Sequence, residues 1–229
     1  MREFVLKRLV AFVGAVLGAA LLLFLVLGLA GNATGSLPER FLAFVVGSPD
    51  LWSRLAVTLP LVILAFVAAG ILAAGLRAVP GTAKGVAAAV AILPPFWLGL
   101  LLVVILAGAL ELLPANGFLP WSDPAGALSS LVLPAVALGI PFGGLLALRL
   151  SHRNRPAALG RTFAELLLAT TLVEGVFYLP GLGGLVLGAA EQRDPALLAS
   201  GLFALALIAS IGMLGFSLLG LLRRGERPA

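Results

Sequence analysis

The chain has 229 residues, of which 61% are hydrophobic and 11% charged, and this share of charge, against about 25% in soluble domains, indicates a protein that lies mostly within a membrane. The absence of cysteine and the single histidine exclude a disulfide framework, a thiolate nucleophile and a histidine-rich metal site. The net charge of +5 lies mainly in short segments between long apolar stretches, so it predicts orientation in a bilayer and not nucleic acid binding.

Six apolar stretches are long enough to cross the hydrocarbon core of a bilayer, which an α-helix crosses in about 20 residues. The sequence therefore predicts an all-α, polytopic membrane protein with six transmembrane helices in a single domain, 1–229. There is no room for a separate soluble catalytic domain. The predicted spans cover residues 9–30, 55–76, 86–110, 128–148, 159–177 and 195–222.

The first span follows a basic segment that contains Arg2, Lys7 and Arg8. A basic start before an apolar run is also typical of a cleaved signal peptide. However, the apolar core of a signal peptide has about 7 to 15 residues, and this run is longer. We therefore predict a retained helix.

The basic residues predict the orientation of the spans. With the N-terminus in the cytoplasm, all but three of the 15 basic residues fall on the cytoplasmic side, and the exceptions are Arg40, Arg54 and Arg193. The positive-inside rule favours this arrangement. Both termini are therefore predicted to lie in the cytoplasm.

Prolines lie within several predicted spans, where each removes a backbone donor and disturbs a helical turn. They predict kinked helices around a cavity, although proline is in any case commoner in membrane helices. These prolines are Pro60, Pro94, Pro95, Pro134 and Pro141. Small residues that allow close helix approach are Gly70, Ala73, Ala74, Gly139, Gly143 and Gly144.

The fifth span is interrupted by Arg161, Glu165 and Glu174. A charged residue at the bilayer centre costs about 2.5 to 3.5 kcal/mol on insertion scales, so three charges require an explanation. Arg161 and Glu165 are four residues apart and can pair on one helix face, whereas Glu174 falls on the opposite side near the external interface. Two interpretations remain open: an interfacial ion pair with an acid at the helix end, or a polar translocation path that includes Glu165.

The most specific string follows this span: residues 174–183 read EGVFYLPGLG, and residues 191–194 read EQRD. Pro180, Gly181 and Gly183 break the helix and permit a tight turn. The string resembles the segment E-x-x-F-x-x-P-G-L-G, followed by R-D, of the permease subunits of dipeptide, oligopeptide and nickel ABC importers.

Other patches of the chain follow in the order of that family. Residues 51–81, which include Arg54 and Thr58, resemble its second span and the basic loop after it. Residues 94–97, PPFW, resemble the entry to its third span, and residues 131–139, LVLPAVALG, resemble its fourth. The resemblance implies a type I ABC importer permease bundle in a bacterial inner membrane, which forms half of a translocation pathway for peptides, nickel or a related solute. The implied partners are a second homologous permease, cytoplasmic ATPase subunits, an external solute-binding protein and membrane lipid, with no cofactor and no nucleic acid.

The charged residues of the fifth span and the resemblance together give two groups of candidate site residues, with no catalytic or metal-binding residue. Candidates for translocation or gating are Glu165, Glu174, Phe177, Pro180, Gly181 and Gly183. Candidates for contact with a cytoplasmic partner are Arg149, His152, Arg153, Asn154 and Arg155.

Two connections are shorter than the family pattern. The family carries, between its fourth and fifth spans, a coupling helix with an E-A-A…G motif that inserts into the ATPase, and residues 149–160 contain no matching acid and glycine. The external segment 31–50 is also short. An importer permease therefore competes with a reduced permease relative that serves as a structural or assembly subunit of a larger membrane complex. An intramembrane enzyme is poorly supported, because no metal set or serine dyad can be assembled.

Overall fold

The computed structural model describes residues 2–25, 50–79, 83–150 and 155–225, and within these ranges the chain is helical and contains no strand. The π-helix Val103–Ala109 directly follows the α-helix Pro95–Leu102. The helices are α1 (Arg2–Leu23), α2 (Asp50–Ala78), α3 (Ala83–Ala91), α4 (Pro95–Leu102), α5 (Pro124–Arg149), α6 (Arg155–Val176), α7 (Leu182–Glu191) and α8 (Pro195–Gly225).

Three of these helices, α2, α5 and α8, are long and apolar enough to cross a bilayer. The α3–α4 pair meets the same test as a unit but is bent by 87°. α6 has the length of the predicted fifth span but is less apolar, because Arg161, Glu165 and Glu174 interrupt it. Residues 26–30 of the first predicted span lie outside the described residues. The described part of the chain therefore contains three or four candidate spans, against six predicted.

Contacts between helices give their relative directions. Near the start of α2, the Ala56 carbonyl accepts a hydrogen bond from the Trp121 indole at 3.1 Å, just before α5 begins. Near the end of α2, Arg77 donates to the Ala147 carbonyl, close to the end of α5, at 3.4 Å. α2 and α5 are therefore parallel. We call the two ends of the bundle the tryptophan end, where Trp121 lies, and the arginine end, where Arg77 lies.

The bent α3–α4 pair returns the chain from the arginine end to the tryptophan end. The backbone of Ala87, in α3, lies against Gly144 near the end of α5. Beyond the π-helix, the Gly117 amide donates to the carbonyl of Phe177 at 2.9 Å, at the opposite end of the bundle. The predicted third span, 86–110, is therefore one passage broken by a bend and not a straight helix.

The break lies where the sequence has two consecutive prolines. Pro94 has extended backbone angles (φ −67°, ψ 125°), and α4 begins at Pro95. A residue that precedes proline is disfavoured in the α region, and proline itself has no amide to donate. In contrast, α2 continues as a helix through Pro60, and α5 continues through Pro134 and Pro141. Of the predicted proline effects, the structure shows the one at 94–95 as a helix break.

α6 and α8 complete the bundle. α6 starts at the arginine end, and α8 runs back beside it, with Gly212 against the Phe163 ring and Gly220 against the Pro156 ring. The last turns of α1 pack on the beginning of α8 in a small cluster of Ala20, Phe24, Ala199 and Phe203. The passages α1, α2, α3–α4, α5, α6 and α8 thus alternate in direction between the two ends.

Small residues hold α5 at the centre of the bundle. A Cβ on Gly139 would lie 2.7 Å from the Ala68 Cβ, and one on Gly143 would lie 2.9 Å from the Leu72 Cβ, both in α2. Such close approach is the main source of helix association in a bilayer, where lipid is as apolar as the core. The packing predicted for Gly139, Gly143, Gly144 and buried Ala73 is confirmed, whereas Gly70 has no close neighbour and Ala74 is exposed.

Candidate functional site

The turn between α6 and α7 carries the most specific string of the sequence. The Leu179 amide donates to the Glu174 carbonyl at 2.9 Å and so closes the end of α6. Tyr178 adopts a left-handed conformation, with φ 51°, and Pro180 follows, which prevents the helix from continuing. Gly181 is then the residue that precedes the first turn of α7.

α7 begins inside the bundle, and its first amides point at side chains of two other helices. The first amides of any helix have no acceptor within the helix. Here the Leu182 amide donates to Thr58 Oγ1 at 2.8 Å, and the Gly183 and Gly184 amides donate to Glu174 Oε2 at 2.7 and 3.2 Å. The Thr58 hydroxyl donates to Glu174 Oε1 at 2.7 Å. We call these five residues the Glu174 junction.

The Glu174 junction is closed to solvent, since Thr58 and Glu174 are both 0% exposed. A buried carboxyl group without partners is strongly unfavourable, but hydrogen bonds and the positive end of a helix dipole stabilise it. Glu174 of α6 therefore acts as the cap of α7, and Thr58 of α2 connects the third helix. The arrangement resembles an interhelical N-cap more than a site open to solute.

The glycines of the string are explained by this geometry. A Cβ on Gly181 would overlap the Glu174 carboxyl group. A Cβ on Gly183 would overlap the backbone of Thr171 and lie 2.9 Å from Glu174 Oε2. Both positions therefore require glycine because α6 approaches the turn too closely for any side chain.

Phe177 ties the same turn to the α4 passage. Its ring is buried against Gly99, where an added Cβ would lie 2.8 Å from Phe177 Cε2, and its carbonyl accepts the hydrogen bond from Gly117. On the other side, Arg54 Nη1 donates to the Gly181 carbonyl at 3.4 Å. The turn is thus held by contacts with α2, α4 and the segment after the π-helix.

Glu165 lies at the arginine end, apart from the Glu174 junction. Arg149 binds it through two parallel hydrogen bonds, of 2.7 Å from Nη1 to Oε2 and 2.9 Å from Nη2 to Oε1. The same guanidinium donates to Thr162 Oγ1 at 3.1 Å. The predicted pairing of Glu165 with Arg161 was wrong: Arg161 is exposed, and the α5–α6 hairpin places Arg149 opposite Glu165 in a bidentate geometry.

The two groups of predicted site residues are therefore distributed as follows. Glu174, Phe177, Gly181 and Gly183 lie together at the tryptophan end, with Pro180 exposed beside them, and Glu165 lies at the other end. Arg149 is in the ion pair and Arg155 is exposed at the start of α6, whereas His152, Arg153 and Asn154 lie outside the described residues. Whether these residues act in gating or partner contact stays a prediction.

Sequence reasoning did not include Thr58 and Arg54 among the site residues. Thr58 is a single hydroxyl in an apolar helix, and such a residue usually bonds to its own helix. Its only sequence signal is that it lies in a stretch, 51–81, that resembles the second span of the permease family. The tertiary contact with α6 and α7 gives it its role.

A shallow apolar groove of about 470 Å³ lies on the surface at the tryptophan end. It is lined by Trp52, Leu55, Ala56, Leu59, Pro60 and Trp121. Within the described ranges, no three histidine or acidic side chains lie together in a way that could hold a metal ion.

No family model matches the chain. Curated relatives from Brucella abortus and Brucella melitensis carry the name "Putative peptide transport system permease protein", and each is 29% identical over 203 residues, which covers 69% of this chain and 64% of the relative. The chain is a multi-pass helical membrane protein and a distant homologue of peptide transport permeases. A relative of the same description from Brucella suis is 29% identical over 136 residues, or 44% of this chain and 43% of its own length.

The homology also shows how much of the relatives this chain represents. It spans 64% of the length of the Brucella abortus and Brucella melitensis proteins. In addition, the alignment runs over 203 positions but includes only 69% of the 229 residues here. Some of the aligned residues of these relatives therefore have no counterpart in this chain.

Proposed function

We propose that this chain is the membrane-spanning permease subunit of an ATP-driven ABC importer for peptides, nickel or a related small solute, and that it forms half of the translocation pathway. The distant homology to peptide transport permeases over 69% of the chain carries this proposal. The alternating directions of α1, α2, α3–α4, α5, α6 and α8 support six membrane crossings with both termini on one side. The chain itself performs no covalent chemistry, and partner subunits hydrolyse ATP.

We place the arginine end in the cytoplasm of a bacterial inner membrane. Arg77, Lys84, Arg149, Arg155 and Arg161 belong to this end of the bundle, in accord with the positive-inside rule. Since the chain has no cysteine, single cysteines can report this directly. A membrane-impermeant thiol reagent applied to intact cells should label Arg193→Cys and leave Arg77→Cys unlabelled. Labelling of Arg77→Cys from outside would reverse the orientation.

The proposed partners are a second homologous permease, cytoplasmic ATPase subunits and an external solute-binding protein. Only residues 150–154 connect α5 and α6, and one helical turn takes about 3.6 residues, so a long coupling helix does not fit between them. In this proposal the ATPase contacts the arginine end of the α5–α6 hairpin itself, including Arg155.

A second candidate function is a structural or assembly subunit of a larger membrane complex that moves no solute. The short α5–α6 connection favours it. The two candidates differ in one observable property: only the importer subunit couples ATP hydrolysis to solute.

Reconstitution tests the proposal. The chain is placed in proteoliposomes with the permease, ATPase and binding protein encoded beside it, and peptide-stimulated ATP hydrolysis and uptake of labelled peptide are measured. We expect both activities, and a loss of stimulation in Arg155→Ala but not in the matched control Arg193→Ala at the opposite end. A stable complex with no stimulation and no uptake would favour the structural subunit.

A further inference from the structure

The hydrogen-bonded and apolar contacts of the bundle differ in how easily they can be broken within a bilayer. Amide groups that lose their acceptors in lipid find no water to replace them. Apolar side chains that leave the core meet lipid that is as apolar as the core itself. A conformational change at the tryptophan end should therefore keep hydrogen-bonded junctions intact and exchange apolar contacts.

The Glu174 junction is held by hydrogen bonds, which would find no replacement in lipid. Its hydrogen bonds join α2, α6 and the start of α7 without exposure to solvent. α5 is held to α2 by the hydrogen bond from Arg77 to the Ala147 carbonyl. It is held to α6 by the Arg149–Glu165 ion pair. α2, α5, α6 and α7 thus form a single body, which we call the junction body.

In contrast, apolar contacts hold the segment formed by α4 and the π-helix, residues 95–109. In α4 only Gly99 is buried, and no residue of the π-helix is. Its partly buried side chains, among them Leu102 and Leu106, contact the core through apolar atoms. π-helical turns are rare, and those that do form are often found at functional sites. We call residues 95–109 the α4 arm.

A break in the helix precedes the α4 arm, and a residue in the left-handed conformation follows it. At its start, the 87° bend at residues 92–94 leaves α3 and α4 without a continuous helical ladder. Beyond its end, Glu111 has a left-handed φ of 50°. The α4 arm contacts the α6–α7 turn through Gly99, which lies against the Phe177 ring. Just beyond the arm, the Gly117 amide donates to the Phe177 carbonyl.

We propose that the α4 arm is the moving element of the tryptophan end: it pivots at residues 92–94 and swings away from Phe177, while the Glu174 junction keeps the junction body rigid. That the motion serves solute passage rests on the proposed function, whereas the mobility of the arm does not. Phe177 is in this view a positioning residue, which sets the closed position of the arm.

Cysteine pairs test the proposal in a chain that has no cysteine of its own. The pair Gly99→Cys and Ala137→Cys links the arm to α5, since a Cβ at Gly99 would lie 3.6 Å from the Ala137 Cβ, within disulfide range. The control, Gly160→Cys with Phe216→Cys, links α6 to α8 outside the arm, since a Cβ at Gly160 would lie 3.6 Å from the Phe216 Cβ. The reduced form of each pair serves as the reference for its oxidised form.

In the reconstituted importer, oxidation of the arm pair should lower uptake at least about tenfold, whereas oxidation of the control pair should leave uptake within about twofold. Single cysteines give a second measurement that needs no transport. A membrane-permeant maleimide should label Gly99→Cys at least about ten times faster than Gly139→Cys, because local opening exposes the arm first.

The outcomes separate the two proposals. Equal labelling of the two single cysteines, or full uptake with the arm pair oxidised, would overturn the moving arm. If no variant transports, including the unmodified chain, then the proposed function fails, and the labelling rates still decide whether the arm moves.

Discussion

Replacement of Glu174 by alanine tests the physical account of the α6–α7 turn most directly. The substitution removes the acceptor of the Gly183 and Gly184 amides, while the Leu182 amide keeps Thr58. The Thr58 hydroxyl also loses Glu174, but it can rotate to a carbonyl of its own helix. A buried donor left without an acceptor costs about 1 to 3 kcal/mol. Because the Gly184 hydrogen bond is long, at 3.2 Å, we expect the lower part of this range for it. The total loss is then about 2 to 4 kcal/mol.

In a chain of this size, 1 kcal/mol corresponds to about 2 to 4 °C in the melting temperature, so Glu174→Ala should lower it by about 4 to 16 °C. Glu174→Gln retains one side-chain oxygen as an acceptor and should lose less than half as much. Thermal unfolding of the purified protein in detergent, followed by circular dichroism, measures both variants.

Glu165→Ala is the matched control, since it removes the same side chain from the same helix. Its ion pair with Arg149 is partly exposed, with 44% of the Glu165 side chain accessible, and such pairs contribute about 0 to 1 kcal/mol. If Glu174→Ala and Glu165→Ala lowered the melting temperature equally, the amides of α7 would have found other acceptors, and the capping role of Glu174 would be refuted.

Three further sets of substitutions test the Glu174 junction, the first turn of α7 and the Arg149–Glu165 ion pair. Thr58→Val keeps the shape of the side chain but removes both hydrogen bonds, so unfolding should become easier by about 1 to 3 kcal/mol, whereas Thr58→Ser should lose less than about 1 kcal/mol. Gly183→Ala should lower the free energy of unfolding by at least about 1 to 3 kcal/mol, because the added Cβ meets the α6 backbone. In the control, Gly188→Ala, the added Cβ lies an ordinary 3.7 Å from its nearest neighbour, so the free energy of unfolding should stay the same or rise. Equal effects of the two substitutions would contradict the steric argument. Arg149→Glu and Glu165→Arg should each lower stability, and the double exchange should restore part of it at low salt; additive losses would show that the ion pair contributes nothing.

The helices that the sequence predicts best are those that follow from hydrophobic length alone. The predicted spans 55–76, 128–148 and 195–222 lie within α2, α5 and α8, with ends that differ by a few residues. A backbone in lipid must satisfy its hydrogen bonds internally, so a long apolar run has few alternatives to a helix. The break at Pro94–Pro95 also follows from the local sequence, whereas the size of the bend does not.

The candidate site was predicted in part. The turn after Glu174 could be inferred from Pro180 and the neighbouring glycines, because their effect on the backbone is local. The capping of α7 by Glu174 could not, because it depends on how closely α2, α6 and α7 approach. Similarly, a spacing of four residues allowed Arg161 to pair with Glu165, but the α5–α6 hairpin supplies Arg149 with better, bidentate geometry.

The sequence by itself thus determined that the chain is a bundle of membrane helices and where several of them begin, end and break. These properties depend on hydrophobic length and on the backbone restrictions of proline and glycine, which act over a few neighbouring residues. Only the tertiary structure decided which side chains the polar groups bind. In an apolar surrounding each polar group must find a partner, and the partner is whichever donor or acceptor the close packing of α2, α5, α6 and α7 brings within reach.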